Sequence, residues 1–236
     1  MQAYRRSAIG PFWISIGMAV QILSVGLVFG IIFKSEMATY LPWLAVSLVF
    51  WNLISSTVIE ACSAYIAAQG IIHQLKIPMF VHVVRVIWRN LFTTGHNFLI
   101  IPLVIVFFRT EATWSVFLIL PGLALLIVNL YWLSSSLALL ATRYRDVIQI
   151  VTSITTVAFY VTPVMWLPTA LGDDALGHYV LGLNPLYHWL QLVRLPLLGQ
   201  VPTIENWAIS GSSAVIGSIA SVLLMRQFQH KIAFWI

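Results

Sequence analysis

The sequence predicts an all-α membrane protein, on three observations. Hydrophobic residues make up 60% of the chain and charged residues only 8%, where an ordinary soluble domain carries about 25% charged residues. The uncharged residues fall in runs long enough to cross a bilayer. The Lys and Arg residues collect on alternate connections between those runs, the asymmetry that orients membrane helices.

A helix crossing ~30 Å of hydrocarbon needs ~20 apolar residues, and a charge near its centre is costly. Runs free of Asp, Glu, Lys and Arg extend over residues 7–33, 37–59, 90–108, 112–142, 147–172 and 206–225. They predict six transmembrane helices over about 12–33, 41–66, 85–108, 113–141, 147–167 and 206–225, within a single transmembrane domain of residues 1–236. The first run follows Arg5 and Arg6 as a signal peptide would. It is too long for an h-region, and no small-residue cleavage pattern closes it before Lys34, so it is read as the first span. The remaining apolar stretch, 175–199, contains Gly177, Gly182 and the turn pair Asn184-Pro185. It predicts a broken, re-entrant helical segment between spans five and six, whose backbone must be satisfied by protein or by a water-filled cavity.

Six spans put both termini on one side. That side collects Arg5, Arg6, Lys76, Arg85, Arg89, Arg143, Arg145, Arg226 and Lys231 against Asp146. The opposite side holds Lys34, Arg109 and Arg194 against Glu36, Glu111, Asp173, Asp174 and Glu205. Positive residues mark the cytoplasmic side, so both termini are expected there. The net charge of +5 and the pI of about 9.6 therefore express topology rather than affinity for nucleic acid.

Catalytic chemistry finds little support. No G-x-x-x-x-G-K-[ST] run exists to cradle ATP phosphates, and the six histidines show no H-E-x-x-H or other close metal spacing. The single cysteine, Cys62, has no partner for an internal disulfide and reads as a small buried hydrophobe. No catalytic or metal-ligating residue is assigned. An intramembrane hydrolase stays open through Ser210-Gly-Ser-Ser213, whose Ser212 would need His96 as its base; the competing role of such small residues is close helix packing. Glu60, Arg85 and Arg89 are candidates for an intramembrane ion pair, either as a structural tie at the inner interface or in direct contact with substrate.

The connection between spans two and three has Gly70 at its start and Pro78 at its end. Apolar Ile71, Ile72 and Leu75 stand at i, i+1 and i+4, with polar His73, Gln74 and Lys76 between them. This predicts a short amphipathic helix at the cytoplasmic surface. Such a helix serves as an interfacial anchor, or as a knob offered to a separate motor.

A succession of motifs then becomes specific. Tyr4-Arg-Arg-Ser-Ala-Ile-Gly-Pro-Phe-Trp13, the 70–78 loop, Thr142-Arg-Tyr-Arg-Asp146, Thr162-Pro-Val-Met-Trp166, Leu183-Asn-Pro-Leu-Tyr187 with Leu195-Pro-Leu-Leu-Gly199, and Ile232-Ala-Phe-Trp235 follow in that order. Over nearly its whole length the chain resembles type 2 ATP-binding-cassette permeases, most of all those exporting O-antigen, teichoic-acid or capsule polysaccharides. The resemblance implies a homodimer in the bacterial inner membrane with two separate ATPase subunits beneath it, which carry the ATP and Mg; this chain binds no cofactor. It implies a coupling helix formed by Gly70, Ile71, Ile72, His73, Leu75, Lys76 and Pro78, with the Arg143, Arg145 and Asp146 turn beside it. The substrate it implies is a polymer on undecaprenyl diphosphate, taken in at an amphipathic gate near Arg5 and Arg6, while the broken segment after span five caps the outer side. Family members carry a further segment ahead of the Tyr-Arg-Arg-Ser motif, whereas here three residues precede Tyr4; either the start is placed late or the gate helix is shortened.

A sliding glycan needs a path whose walls bind each sugar weakly. Aromatic rings offer an apolar face to sugar C–H groups and, in Tyr and Trp, a polar edge to hydroxyls. Phe159, Tyr160, Trp166 and Tyr187 are the candidates for lining such a conduit, against the alternative of lipid-interface belts. An exporter of a small lipid or drug in the same superfamily would share the spans and the coupling helix.

Overall fold

A computed structural model describes residues 12–75, 77–109, 113–171 and 175–236. Within them the chain is helical, with no strand. Five helical stretches are long and apolar enough to cross a membrane: Phe12–Ile32, Met37–Cys62, Phe80–Phe107, Trp114–Arg143 and Ile204–Trp235. The sixth expected span is represented by Val147–Val161, a shorter apolar helix of 15 residues.

α1 (Phe12–Ile32) buries Met18, Ile22, Gly26 and Gly30, a stripe repeating every four residues, with Ala19, Val25 and Phe29 half-buried beside it and much of its remaining apolar surface exposed. Gly26 lies against Leu41 and Leu44, and Gly30 against Met37, so small residues let α1 approach α2 closely. α2 (Met37–Cys62) is the hub. It packs against α1 and most of the helices that follow, and 72% of its apolar window is buried.

After a 3₁₀ turn at Ile66–Ala68, α3 (Gln69–Gln74) is a helix of six residues. α4 (Phe80–Phe98) and α5 (Ile100–Phe107) form one apolar rod with a break at Leu99. Pro102 accounts for the break, since it lacks an N–H for the Phe98 carbonyl and its ring crowds that turn. α6 (Ile119–Arg143) is entered through the 3₁₀ turn Trp114–Leu118 and leads directly to α7 (Val147–Val161).

The expected broken segment is two helices, α8 (Ala175–Leu183) and α9 (Pro185–Leu197). Asn184 separates them: its Oδ1 accepts from the Leu186 N–H at 3.0 Å, and Pro185 occupies the first helical position, where a missing N–H does no harm. Past the end of α9, Gly199 has a φ of 76° that lets the Gln200 N–H return to the Leu195 carbonyl at 2.9 Å, a geometry glycine adopts without strain. α10 (Ile204–Phe228) turns a small-residue stripe, Ser210, Ala214, Gly217 and Ser221, inward and its branched aliphatics outward. The pattern is the reverse of a soluble helix, because lipid accepts the large side chains while close packing selects the small ones. A last turn, α11 (Ile232–Trp235), follows.

The buried side chains form two clusters. The larger surrounds α2 and gathers residues of α1, α6 and α9. The smaller lies where α2 ends and α4 begins, around Tyr65, Val83, Ile87, Leu139 and Ile232.

Candidate functional site

The smaller cluster supports the end of the molecule where α3, the 143–146 turn and α11 meet. α3 carries no side-chain cap at either end and holds to the body through Ile72, which packs on the cluster. Ile71 and Leu75 point outward, Leu75 at 56% exposure. Leu75 lies past the helix in extended conformation (φ −126°, ψ 133°). Ile71, Ile72 and Leu75 therefore do not share one face: Ile72 is a root and the other two are free apolar surface. Gly70 has open space where a Cβ would sit. His73 and Pro78 are exposed, while Lys76 lies outside the described residues, as do Arg5 and Arg6.

Arg143 closes α6, where its charge suits the carbonyl end of the helix. Its guanidinium stands 5.3 Å from the Tyr144 ring and 5.1 Å from the Trp235 ring. Arg145 and Asp146 are exposed, and Asp146 begins α7 without capping it through its side chain.

Beside this end, Glu60 accepts from Arg89 Nη2 at 2.5 Å and from Asn90 Nδ2 at 2.6 Å. The ion pair thus joins α2 to α4 through Arg89. Arg85 lines the same groove, a space of about 390 Å³ bounded also by Ser63, Ala64, Ala67 and Val86, and among the described residues it has no acidic partner.

The ABC-2 type transporter family model matches residues 1–198. The chain belongs to that family. A curated relative, the O-antigen export system permease protein RfbA of Myxococcus xanthus, is 24% identical over 187 residues, 78% of this chain and 70% of that protein. Family and apolar helices together make this a multi-pass membrane permease of the ABC-2 type.

At the opposite end of the permease, the candidate aromatics separate. Phe159 packs against Trp51 with ring centroids 5.8 Å apart and belongs to the core margin. Tyr160 is 65% exposed, and its carbonyl accepts from Trp166 Nε1 at 3.1 Å. The Tyr187 hydroxyl accepts from Gln191 Nε2 at 2.7 Å. Tyr160 completes an exposed stripe on α7 that sequence reasoning passed over: Gln149, Ser153, Thr156 and Tyr160 stand at successive helical spacings of four, three and four. The i, i+4, i+7 pattern was visible in the sequence, but a scan for charges ignores uncharged polar side chains.

Arg194 is the larger surprise. Expected on the side opposite the termini, within the broken segment 175–199, it stands in α9 and is 0% exposed. Its Nη1 donates to the Pro163 carbonyl at 2.6 Å and to Ser47 Oγ at 2.9 Å, and its Nε to Gln191 Oε1 at 3.2 Å. The guanidinium lies 3.6 Å from the Trp43 ring centroid. One side chain thus ties α9 to α2 and to the chain leaving α7, without a carboxylate among the described residues. Trp43 and Gln191, three and four residues from other polar groups in apolar runs, were the available signal.

The serine motif is absorbed by packing. Ser213 Oγ donates to Asn129 Oδ1 at 2.8 Å and accepts from Trp189 Nε1 at 3.0 Å, while Asn129 Nδ2 donates to the Ser210 carbonyl at 3.1 Å. Ser212 is exposed and donates to its own helix at the Ile209 carbonyl. His96 instead meets Phe12 and Phe92 and its own Phe92 carbonyl. No serine of the motif is brought to His96, and among the described residues no group of three His, Cys, Asp or Glu could hold a metal.

Proposed function

We propose that this permease is the membrane subunit of an ATP-driven exporter that moves an undecaprenyl-diphosphate-linked polysaccharide across the bacterial inner membrane. The outward-facing pair Ile71 and Leu75 on a helix rooted by Ile72 carries the reading. Apolar side chains held out on a projection rooted at Ile72 suit insertion into a cleft of a separate protein, and residues 1–236 hold no P-loop, so the motor is supplied beside them. In this reading two copies of residues 1–236 form the pathway and two ATPase subunits seat the α3 knobs, with Gly70, His73, Lys76, Pro78, Arg143, Arg145 and Asp146 around the contact. The termini and the ATPases lie on the cytoplasmic side.

The cargo follows from likeness and from α7. The relative named above is an O-antigen permease. A polar stripe of Gln149, Ser153, Thr156 and Tyr160 facing lipid would be costly, so it faces the partner copy and a wet conduit, with Tyr160, Trp166 and Tyr187 towards its outer end and Phe159 supporting them from behind. At 1.5 Å per residue the 15 residues of α7 reach about 22 Å; the turns and bends that follow Val161 complete the sixth crossing, and α8 with α9 re-enters from the outer side. Arg5 and Arg6 receive the diphosphate, and Arg85 is positioned to add a cation at the inner interface beside the Glu60–Arg89 tie.

The test is an export assay on the double variant Ile71→Asp, Leu75→Asp. Both side chains are exposed, so the permease is expected to fold and insert while surface polysaccharide disappears. Export at the parental level would sink the docking role of α3.

A further inference from the structure

We propose that Ile232–Trp235 is a strut that makes α3 and the end of α6 move as one body, so that a push on α3 reaches the bundle through α6. The inference rests on the docking reading of α3 given above.

α3 has little stability of its own. Helices shorter than about 12 residues are marginal in isolation, and this one has six residues and no side-chain cap. The chain leaving it is extended at Leu75 and held by one short turn, the Ile77 N–H to the Leu75 carbonyl at 2.9 Å. A push transmitted along that connection alone would bend it rather than move α4.

On its other side α3 is joined to α2 through the 3₁₀ turn Ile66–Ala68, where Tyr65 and Ala68 are buried; α11 supplies a separate route, to α6. It contacts both α3 and α6. Ile232 is 0% exposed, embedded with Tyr65, Val83, Ala138 and Leu139. Trp235 lies under the Arg143 guanidinium, at the last residue of α6, and packs against Phe228 with centroids 6.0 Å apart. The four-residue turn is thus fixed at both ends of its length, at Ile232 and at Trp235. α6 in turn packs on α2, α4, α9 and α10, so it spreads a displacement over the whole bundle. Ile232 and Trp235 are thus positioning residues: neither is assigned to the ATPase contact or to the cargo path.

Spin labels on Gln69→Cys and Leu140→Cys, both exposed sites, report the separation of α3 from α6 in the complex with the co-expressed ATPase; the native Cys62 is buried and stays unlabelled. ATP is expected to leave that separation unchanged in the parent and in Trp235→Phe, which keeps a ring beneath Arg143. It is expected to change it in Trp235→Ala and in Ile232→Ala. Export of lipid-linked O-polysaccharide per ATP hydrolysed in reconstituted vesicles should fall about 2- to 30-fold in the two alanine variants, the range such couplings span. A separation that holds under ATP in both alanine variants overturns the strut, whatever their export. Failure of the docking reading registers differently, as normal assembly and export by the Ile71→Asp, Leu75→Asp permease.

Discussion

Arg194 shows what a buried cation does in this permease. Its hydrogen bonds reach α2, α9 and the Pro163 carbonyl, so removing it leaves acceptors unpaired at the junction of three elements. Arg194→Ala is expected to lower unfolding stability by about 3 kcal/mol, from a lost charge-assisted bond and the orphaned acceptors. Arg194→Lys recovers little of it, because an ammonium neither forks nor stacks on Trp43 as a guanidinium does. Chemical unfolding of the detergent-solubilised protein, followed by tryptophan fluorescence, measures both. Gly70 makes the opposite case. It is helical with open space at its Cβ position, so Gly70→Ala should stabilise α3 by about 0.5–1 kcal/mol. Circular dichroism melts check the gain; export lost in that variant would then report on docking rather than folding.

Among the elements, α6 and α9 depend on a close approach that a single methyl group would spoil. Pro196 cannot donate to the Leu192 carbonyl, and Gly122 of α6 lies directly over that carbonyl oxygen. Gly122→Ala forces the two helices apart and is expected to cost about 1–3 kcal/mol, seen as a lower melting temperature in detergent. The same elements show what the sequence made legible. α1, α2, α6 and α10 follow the charge-free runs because lipid excludes charge along a whole crossing. α4 begins at Phe80, earlier than the run predicts, since Arg85 and Arg89 sit near the helix end where long side chains reach the interface. α7 stops at Val161 although apolar residues continue. Pro163 holds Thr162 extended, at ψ 134°, and a hydropathy run carries no such steric information. The face of α3 differs from the expected one because the helix ends before Leu75, and the burial of Arg194 is not legible because a charge count carries no information on what packs around a cation. Glu60 meets Arg89 rather than Arg85, a choice that depends on side-chain directions that sequence spacing leaves open.

At the scale of the whole permease, the two buried clusters divide the work. The larger one, built on α2, fixes the helices around a mostly buried hub. The smaller one backs α3, the end of α6 and α11, leaving Ile71 and Leu75 as free apolar surface. A rigid platform beneath exposed anchors is what a transmitted stroke requires, since packed elements shift between discrete arrangements rather than deform continuously. Transport in this permease therefore requires a motor seated at α3. The direct measurement is ATP hydrolysis by the complex purified from membranes that co-express the permease with an ATP-binding-cassette ATPase, compared between the parent and Ile71→Asp, Leu75→Asp. A stable complex of two permeases and two ATPases is expected, lost together with its permease-dependent hydrolysis in the double variant. A complex that forms and hydrolyses ATP equally well with both aspartates in place would contradict a motor seated at α3.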